Sequence, residues 1–260
     1  MTDATARSSA LPGRPLVVSH RTNAGDSPEN TLLGIEAAIR DGCDAVEVDV
    51  RRTRDGAVVL LHDETLQRVA GDPRPIATLT LAEVRGVRVI DPRGVHPPQP
   101  VPTLAEALAA VGGRCAIEVD FPEGGLVEAV AAAVRAANAE AWTWFTCHPP
   151  EDASALRREC PRSRVFLSVA PHPSWVRDLE DAIEVAARLG LDGINPSLGA
   201  LAPSTFAEAH DRGLLVGTWT VNASEEIERA LDLGVDAITT DVPARVLQAM
   251  ARRGLSGHGR

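Results

Sequence analysis

Lysine is absent from this 260-residue chain, and all 26 basic residues are arginine. Any cationic contact made here is therefore a guanidinium or a histidine. Cysteine is scarce: Cys43, Cys115, Cys147 and Cys160 show no CxxC spacing and no paired framework. They read as reduced, mostly buried thiols. No apolar stretch approaches the length of a membrane span, and the opening MTDATARSSALPGRP has no apolar core to serve as a signal peptide. No basic run occurs and the formal net charge is -10, which argues against nucleic acid as the main partner. A small anion held by a few arginines stays open. From these absences a soluble, cytoplasmic globular protein is expected, and with 44% hydrophobic residues it can bury a large core.

What is present is a rhythm. The β-rich runs PLVVSH, AVEVDV, CAIEVD, WTWFT, RVFLSV, GIN, LLVGTWTV and DAITTD alternate with Ala- and Leu-rich amphipathic stretches such as ENTLLGIEAAIRDG and SEEIERALDLG, several of them closed by glycine. Eight strand candidates with intervening helices predict a closed parallel β/α barrel, with a doubly wound open sheet as the rival. One segment breaks the pattern. After AVEVDV an Asp55-Gly56 turn returns the chain as AVVLLHD, a hairpin, and residues of about 66–100 are rich in Pro and Gly. This reads as an insertion between the second strand and the helix near PTLAEAL. The domain is expected over 15–250, with flexible tails at 1–14 and 251–260.

Glu47 and Asp49 stand two apart on the second strand run, Glu118 and Asp120 repeat the spacing on the third, His20 ends the first, and His62 and Asp63 close the hairpin. Residues i and i+2 of a strand share a face, and in a parallel barrel the strand ends meet around one mouth. Four carboxylates and two histidines would then converge on one cavity. One acid could pair with an arginine such as Arg21, but hardly all four. That many acids in a cleft need a cation, and hard oxygen ligands suit Mg2+ or Ca2+, whereas zinc would ask for more His or Cys.

The runs S-H-R, P-E-N-T, E-V-D-V, T-x-D-G and H-D-x-T-L-x-R, followed by V-P-T-L, I-E, W-T-V-N and I-T-T-D-x-P, extend in order from His20 to Pro243. They resemble the glycerophosphodiester phosphodiesterases. The resemblance implies a TIM barrel with a small insertion after the second strand. It implies one divalent cation (Mg2+ or Ca2+, with Mn2+ a further option) held by Glu47, Asp49 and Glu118, and His20 and His62 as general acid and base in an order the sequence leaves open. The implied reaction is hydrolysis of a small-molecule glycerophosphodiester to sn-glycerol 3-phosphate and an alcohol. In that family glycerol's own hydroxyl can attack first, giving a cyclic phosphate that water opens.

Other matched positions carry weaker roles. Arg21 could donate two hydrogen bonds to phosphate. Glu29 either orients Arg21, approaches the metal, or caps the first turn of the following helix. Trp219 would wall the substrate pocket or pack in the core. Trp142 and Trp144 share a strand face and read as packing; His148 could line the mouth, while His96 and His172 fall in loop-like stretches without a role. Two departures stand out. Thr22 replaces the family's usual glycine, which implies a slightly different first loop. Asp120 stands where a lysine is common, and so reverses the charge beside Glu118; it could join the metal, recruit a second cation, contact a cationic head group, or mark a changed substrate. Two rivals remain: a lyase-type or phospholipase D-like relative that stops at a cyclic phosphate, and a non-catalytic barrel that binds a phosphodiester.

Overall fold

A computed structural model describes residues 13–22, 25–121, 124–169 and 178–255. Its elements in chain order are β1 (Leu16–Ser19), α1 (Leu32–Arg40), β2 (Ala45–Arg52), β3 (Val58–Leu60), α2 (Gln67–Ala70), α3 (Leu81–Val84), β4 (Arg88–Val89), β5 (Gln99–Pro100), α4 (Leu104–Val111), β6 (Ala116–Phe121), α5 (Val127–Ala136), β7 (Thr143–Cys147), α6 (Pro150–Glu159), β8 (Arg164–Val169), α7 (Leu179–Arg188), β9 (Gly193–Pro196), α8 (Pro203–Asp211), β10 (Leu215–Thr218), α9 (Ser224–Leu233), β11 (Ala237–Thr240) and α10 (Pro243–Arg252). All eight expected strand runs form strands. They pair in parallel in the order β1-β11-β10-β9-β8-β7-β6-β2, and β2 returns to β1 through Val18↔Ala45 and Ser19↔Val46. That closure rules out the open sheet and makes the fold a TIM barrel.

The two faces of each strand explain why the barrel closes here. One phase carries Val46, Val48 and Val50 on β2, Ile117, Val119 and Phe121 on β6, and Val165 and Leu167 on β8, all buried in one core with the surrounding helices. At about 1.5–3 kcal/mol per buried side chain this layer supplies most of the driving force. The other phase points to the barrel axis and changes character with height. Its lower level is Leu16, Val18, Ala45 and Ala237, with Ala116 and Trp144 packed against them. Two residues further along the same strands the side chains become Glu47, Glu118, Thr146 and Thr239, which line a cavity. The apolar floor and the polar mouth are thus successive turns of one period-two pattern.

The insertion is where the sequence put it. β3 runs antiparallel to β2, with Val50↔Leu60 and Arg52↔Val58 in register, and Leu66, Val69, Ile76, Leu79, Val84 and Val89 join Val59, Leu61 and Val101 in a small core of their own. Thr80 and Thr103 each cap their helix in a reciprocal pair with the glutamate three residues on, which fixes both edges of the insertion. The expected tails fall mostly outside the described residues. Their inner edges carry structure: Arg14 bonds Asp44, and α10 continues to Arg252.

Trp142 and Trp144 do not share a face. Trp142 ends a 3-10 turn before β7, so strand alternation does not reach it, and it packs beside α4 and α5. Trp144 lies inside the barrel against Phe166, their ring centroids 6.3 Å apart.

Candidate active site

The parallel register of β2 and β6 sets Glu47 beside Glu118 and Asp49 beside Asp120, two ranks of two carboxylates at the barrel mouth. They line a cavity of about 300 Å3 with His20, Arg21, His62, His148, Asn195 and Trp219. The four carboxylates and both histidines that the sequence singled out at the strand ends therefore line one cavity, with Asp63 behind His62. Burial pushes the Glu47 carboxyl well above its usual range, and the charges of Asp49 and Asp120 push it further. Burial, then the charges of Asp49 and Glu118, lifts Asp120 to about 8, and burial also raises Glu118. Among the described residues Arg21 reaches Asp49 at 3.6 Å, and no ion pair reaches Glu47, Glu118 or Asp120. Oxygens of Glu47, Asp49 and Asp120 all lie within 4.8 Å of one another. A largely buried, all-oxygen donor set with a single arginine contact fits a hard divalent cation such as Mg2+ or Ca2+.

Two histidines face this acid group, and each is held by a carboxylate. His20 Nδ1 lies 2.6 Å from Asp241 Oδ1, and His62 Nδ1 lies 2.7 Å from Asp63 Oδ1. With Nδ1 engaged on each ring, Nε2 is the nitrogen left available toward the cavity's chemistry. Asp241 is itself fixed: Asn222 Nδ2 donates to its Oδ2 at 2.7 Å, and its own N–H donates to Asn222 Oδ1 at 2.9 Å. Burial opposes ionisation of Asp241, but hydrogen bonds from His20 and Asn222 carry its carboxyl below the usual range. The Arg68 guanidinium, reinforced by His62, draws Asp63 down to about 2. His62 is placed from below as well, since Arg51 Nε donates to its carbonyl at 2.8 Å.

The first loop is held by the P-E-N-T segment. Arg21 and Thr22 both adopt left-handed backbone, at φ 48° and 61°. The departure from glycine at 22 thus leaves the glycine-like conformation in place. It costs about 1–2 kcal/mol for a β-branched residue, offset by the Thr22 N–H donating to the Glu47 carbonyl at 2.9 Å and by Thr22 Oγ1 accepting the Thr31 N–H at 3.1 Å. The Arg21 N–H donates to Glu47 Oε2 at 2.6 Å. Glu29 accepts from Arg21 at 3.4 Å and from Arg68 at 2.5 and 2.8 Å, so it orients the guanidinium. It is no capping acid, because Thr31 caps α1 by accepting the Gly34 N–H.

Trp219 lines the cavity and donates its indole N–H to the Asn195 carbonyl at 2.8 Å. His148 lines it too, and burial lowers its pKa, which favours the neutral ring. His96 instead approaches the Asp26 carbonyl at 3.0 Å, outside the cavity; His172 lies outside the described residues. Cys43 and Cys147 are buried free thiols, with Cys43 pushed up to about 12 by burial, which keeps it unreactive. Sequence reasoning missed Asn30, Asn222 and Asp241 as functional positions. Asn30 Nδ2 donates to Asp49 Oδ2 at 2.7 Å and Asn30 Oδ1 accepts the Asp49 N–H at 3.1 Å. All three lie inside motifs already visible, P-E-N-T, W-T-V-N and T-D-x-P.

Residues 20–245 match the glycerophosphoryl diester phosphodiesterase family. The chain belongs to that family. A protein of Mycobacterium tuberculosis assigned as glycerophosphodiester phosphodiesterase 1 is 30% identical over 258 residues, covering 90% of this chain and 92% of the relative. The glycerophosphodiester phosphodiesterase of Caldanaerobacter subterraneus is 24% identical over 248 residues, covering 93% and 100%. Among solved structures, a Silicibacter pomeroyi protein assigned to the same activity superposes with a TM-score of 0.85 at 29% identity, covering 95% of this chain and 96% of that one. The family's reaction class is phosphodiester hydrolysis, and no described helix is long and apolar enough to cross a membrane.

Proposed function

We propose that the protein hydrolyses a glycerophosphodiester to sn-glycerol 3-phosphate and an alcohol, with His20 and His62 as the proton-exchanging pair. The observation that carries this reading is the pair of histidine–carboxylate contacts at one acid-lined cavity. A phosphodiester placed between them has what the chemistry requires. One imidazole takes a proton from the attacking hydroxyl or water as the new P–O bond forms. The other returns a proton to the alcohol oxygen as the old P–O bond breaks. Asp241 and Asp63 favour the imidazolium that forms on the accepting ring. Arg21, fixed through Glu29, can donate to non-bridging phosphate oxygens. Trp219 offers an apolar wall to the glycerol carbons.

The carboxylates supply the remaining requirement. Glu47 and Asp49, with a third acid from β6, would hold one divalent cation, Mg2+ or Ca2+ by the hardness of the donors. When bound, it would offset charge on a phosphate oxygen and make a hydroxyl or water more acidic.

The test is release of glycerol 3-phosphate from glycerophosphocholine and glycerophosphoethanolamine by wild type, His20→Ala and His62→Ala, with and without EDTA. Each histidine variant should lose about 10²–10⁴-fold in kcat, and EDTA should abolish turnover until one metal restores it. Turnover that survives both substitutions and chelation would sink the proposal. Phosphorus NMR of the products separates hydrolysis from a reaction that ends at a cyclic phosphate.

A further inference from the structure

The insertion reaches back to the loop between β1 and α1. Asp91, just after β4, organises the turn toward β5. Its Oδ1 accepts the Arg93 N–H at 3.0 Å and Arg93 Nε at 3.3 Å, and its Oδ2 accepts the Val95 and His96 N–H groups at 3.1 and 2.9 Å. The Asp91 side chain is buried, so the turn has a fixed centre. From it Arg93 Nη1 donates to the Gly25 carbonyl at 2.6 Å and lies 3.4 Å from Asp26 Oδ1, while His96 Nε2 donates to the Asp26 carbonyl at 3.0 Å. Among the described residues no other hydrogen bond holds Gly25 or Asp26. Gly25 in turn rests on Asp241. A Cβ there would come within 1.9 Å of the Asp241 carbonyl oxygen and 3.6 Å of its Cβ, so only glycine lets the loop come this close.

From this relay we propose that Arg93 is a positioning residue for His20: it keeps Gly25 seated on Asp241, and Asp241 orients the imidazole. The assignment rests on the role proposed above for His20 and extends it to the insertion. Asn222 holds the Asp241 side chain and N–H. Gly25 packs against the Asp241 carbonyl and Cβ, which Asn222 does not bond. The two supports together fix the carboxylate whose Oδ1 lies 2.6 Å from His20 Nδ1. The Arg93 contact is charge-assisted and short, about twice as strong as a neutral hydrogen bond, and it falls on the very residue that meets Asp241. Releasing Gly25 lets Asp241 tilt, and the His20 ring follows it. Misplacement of a proton-exchanging group costs rate more than substrate binding.

The test reads the ring of His20 as well as turnover. Long-range proton–nitrogen NMR of full-length protein carrying labelled histidine shows which ring nitrogen bears the proton, with His20 assigned by its loss in His20→Ala. At about pH 8 wild type should show His20 with the proton on Nδ1, and Arg93→Ala should give a mixture of both tautomers. Its kcat on glycerophosphocholine should fall about tenfold with KM within about twofold. Arg93→Lys, which keeps a charged donor for the Gly25 carbonyl, should recover part of both changes. Gly25→Ala disturbs Asp241 from the loop itself and should give the same spectral change with Arg93 intact. Arg88→Ala is the control and should alter neither reading, since Arg88 Nη1 donates to carbonyls of its own turn. Melting is followed in parallel, and if Arg93→Ala unfolds, Arg93→Gln takes its place. A His20 ring that either Arg93→Ala or Gly25→Ala leaves as in wild type overturns the assignment, whatever the rate does. The expected spectral changes in a protein without turnover would overturn the hydrolytic reading alone.

Discussion

His20 and Asp241 are 221 positions apart in the chain, and their side chains meet at 2.6 Å. The contact joins the ends of β1 and β11, the two strands whose pairing brings the chain's start and finish together, with Ser19 opposite Thr240. Closure of the barrel and orientation of His20, the histidine proposed to exchange protons, are therefore one structural event. On the proposed reading Asp241 would act through His20, as a positioning residue. Asp241→Asn keeps the shape and removes the charge that favours imidazolium. It should lower kcat by about 10²–10³-fold with KM little changed, and shift the pH–rate profile. Steady-state kinetics from pH 5 to 9 check this, and an equal rise in KM would point to lost substrate binding instead.

Asp63 gives a prediction about acid. Its carboxyl is held at about 2, against an ordinary value of 3.8, chiefly by Arg68. A group whose folded value is depressed contributes stability above its unfolded value and loses it as pH falls through the folded one. The contribution of Asp63 should be complete above about pH 4 and gone near pH 2. Because Arg68 is 46% exposed, solvent screening keeps it to about 1 kcal/mol or less. Urea midpoints of wild type and Asp63→Asn should differ by a constant amount from pH 8 to 5 and converge between about 4 and 2. A difference that grows on acidification would refute the sign.

Arg14 closes the bottom of the barrel at the point where the described chain begins. Its NH1 and NH2 donate to the two Asp44 oxygens at 2.8 Å each, and Asp44 Oδ2 also accepts the Val17 N–H at 2.8 Å. The Arg14 side chain is 6% exposed and that of Asp44 18%. Arg14→Ala would leave Asp44 largely buried without its partner, a loss of about 3 kcal/mol. Arg14→Lys should recover only part of it, since an ammonium cannot form the two-pronged contact. Thermal melts of the three proteins decide the order.

These residues also mark how far the sequence could be read. Periodicity predicted the eight strands, because i,i+2 spacing reports directly which side chains share a face. The same spacing correctly placed Glu47, Asp49, Glu118 and Asp120 at one mouth. It could not say that Glu118 turns toward Thr146 and Asn195 while Asp120 turns toward Asp49, since side-chain direction depends on donors from β7 and β9. His62 and Asp63 are adjacent and so were visible as a pair. His20 and Asp241 belong together only once the barrel has closed. A threonine at position 22 points to an altered loop because left-handed backbone favours glycine, yet Glu47 and Thr31 hold it in that conformation.

That first loop also depends on a glycine one element away, and this carries the last prediction. Gly34, in the first turn of α1, sits so close to the loop that a Cβ there would come within 2.0 Å of the Thr22 carbonyl oxygen and 2.4 Å of its Oγ1. Both are firmly held atoms, one of them backbone, so neither can swing aside. Gly34→Ala must push α1 and the loop apart, at a cost of about 1–3 kcal/mol. The displaced segment includes Arg21, whose N–H bonds Glu47, and His20 beside it. Activity should therefore fall further than stability alone accounts for when assayed well below the melting temperature. Gly199→Ala is the matched control, since a Cβ at Gly199 meets nothing within 4 Å; it should leave both melting and turnover unchanged. If Gly34→Ala is as stable and active as that control, the loop does not rest on α1 in the way its geometry requires.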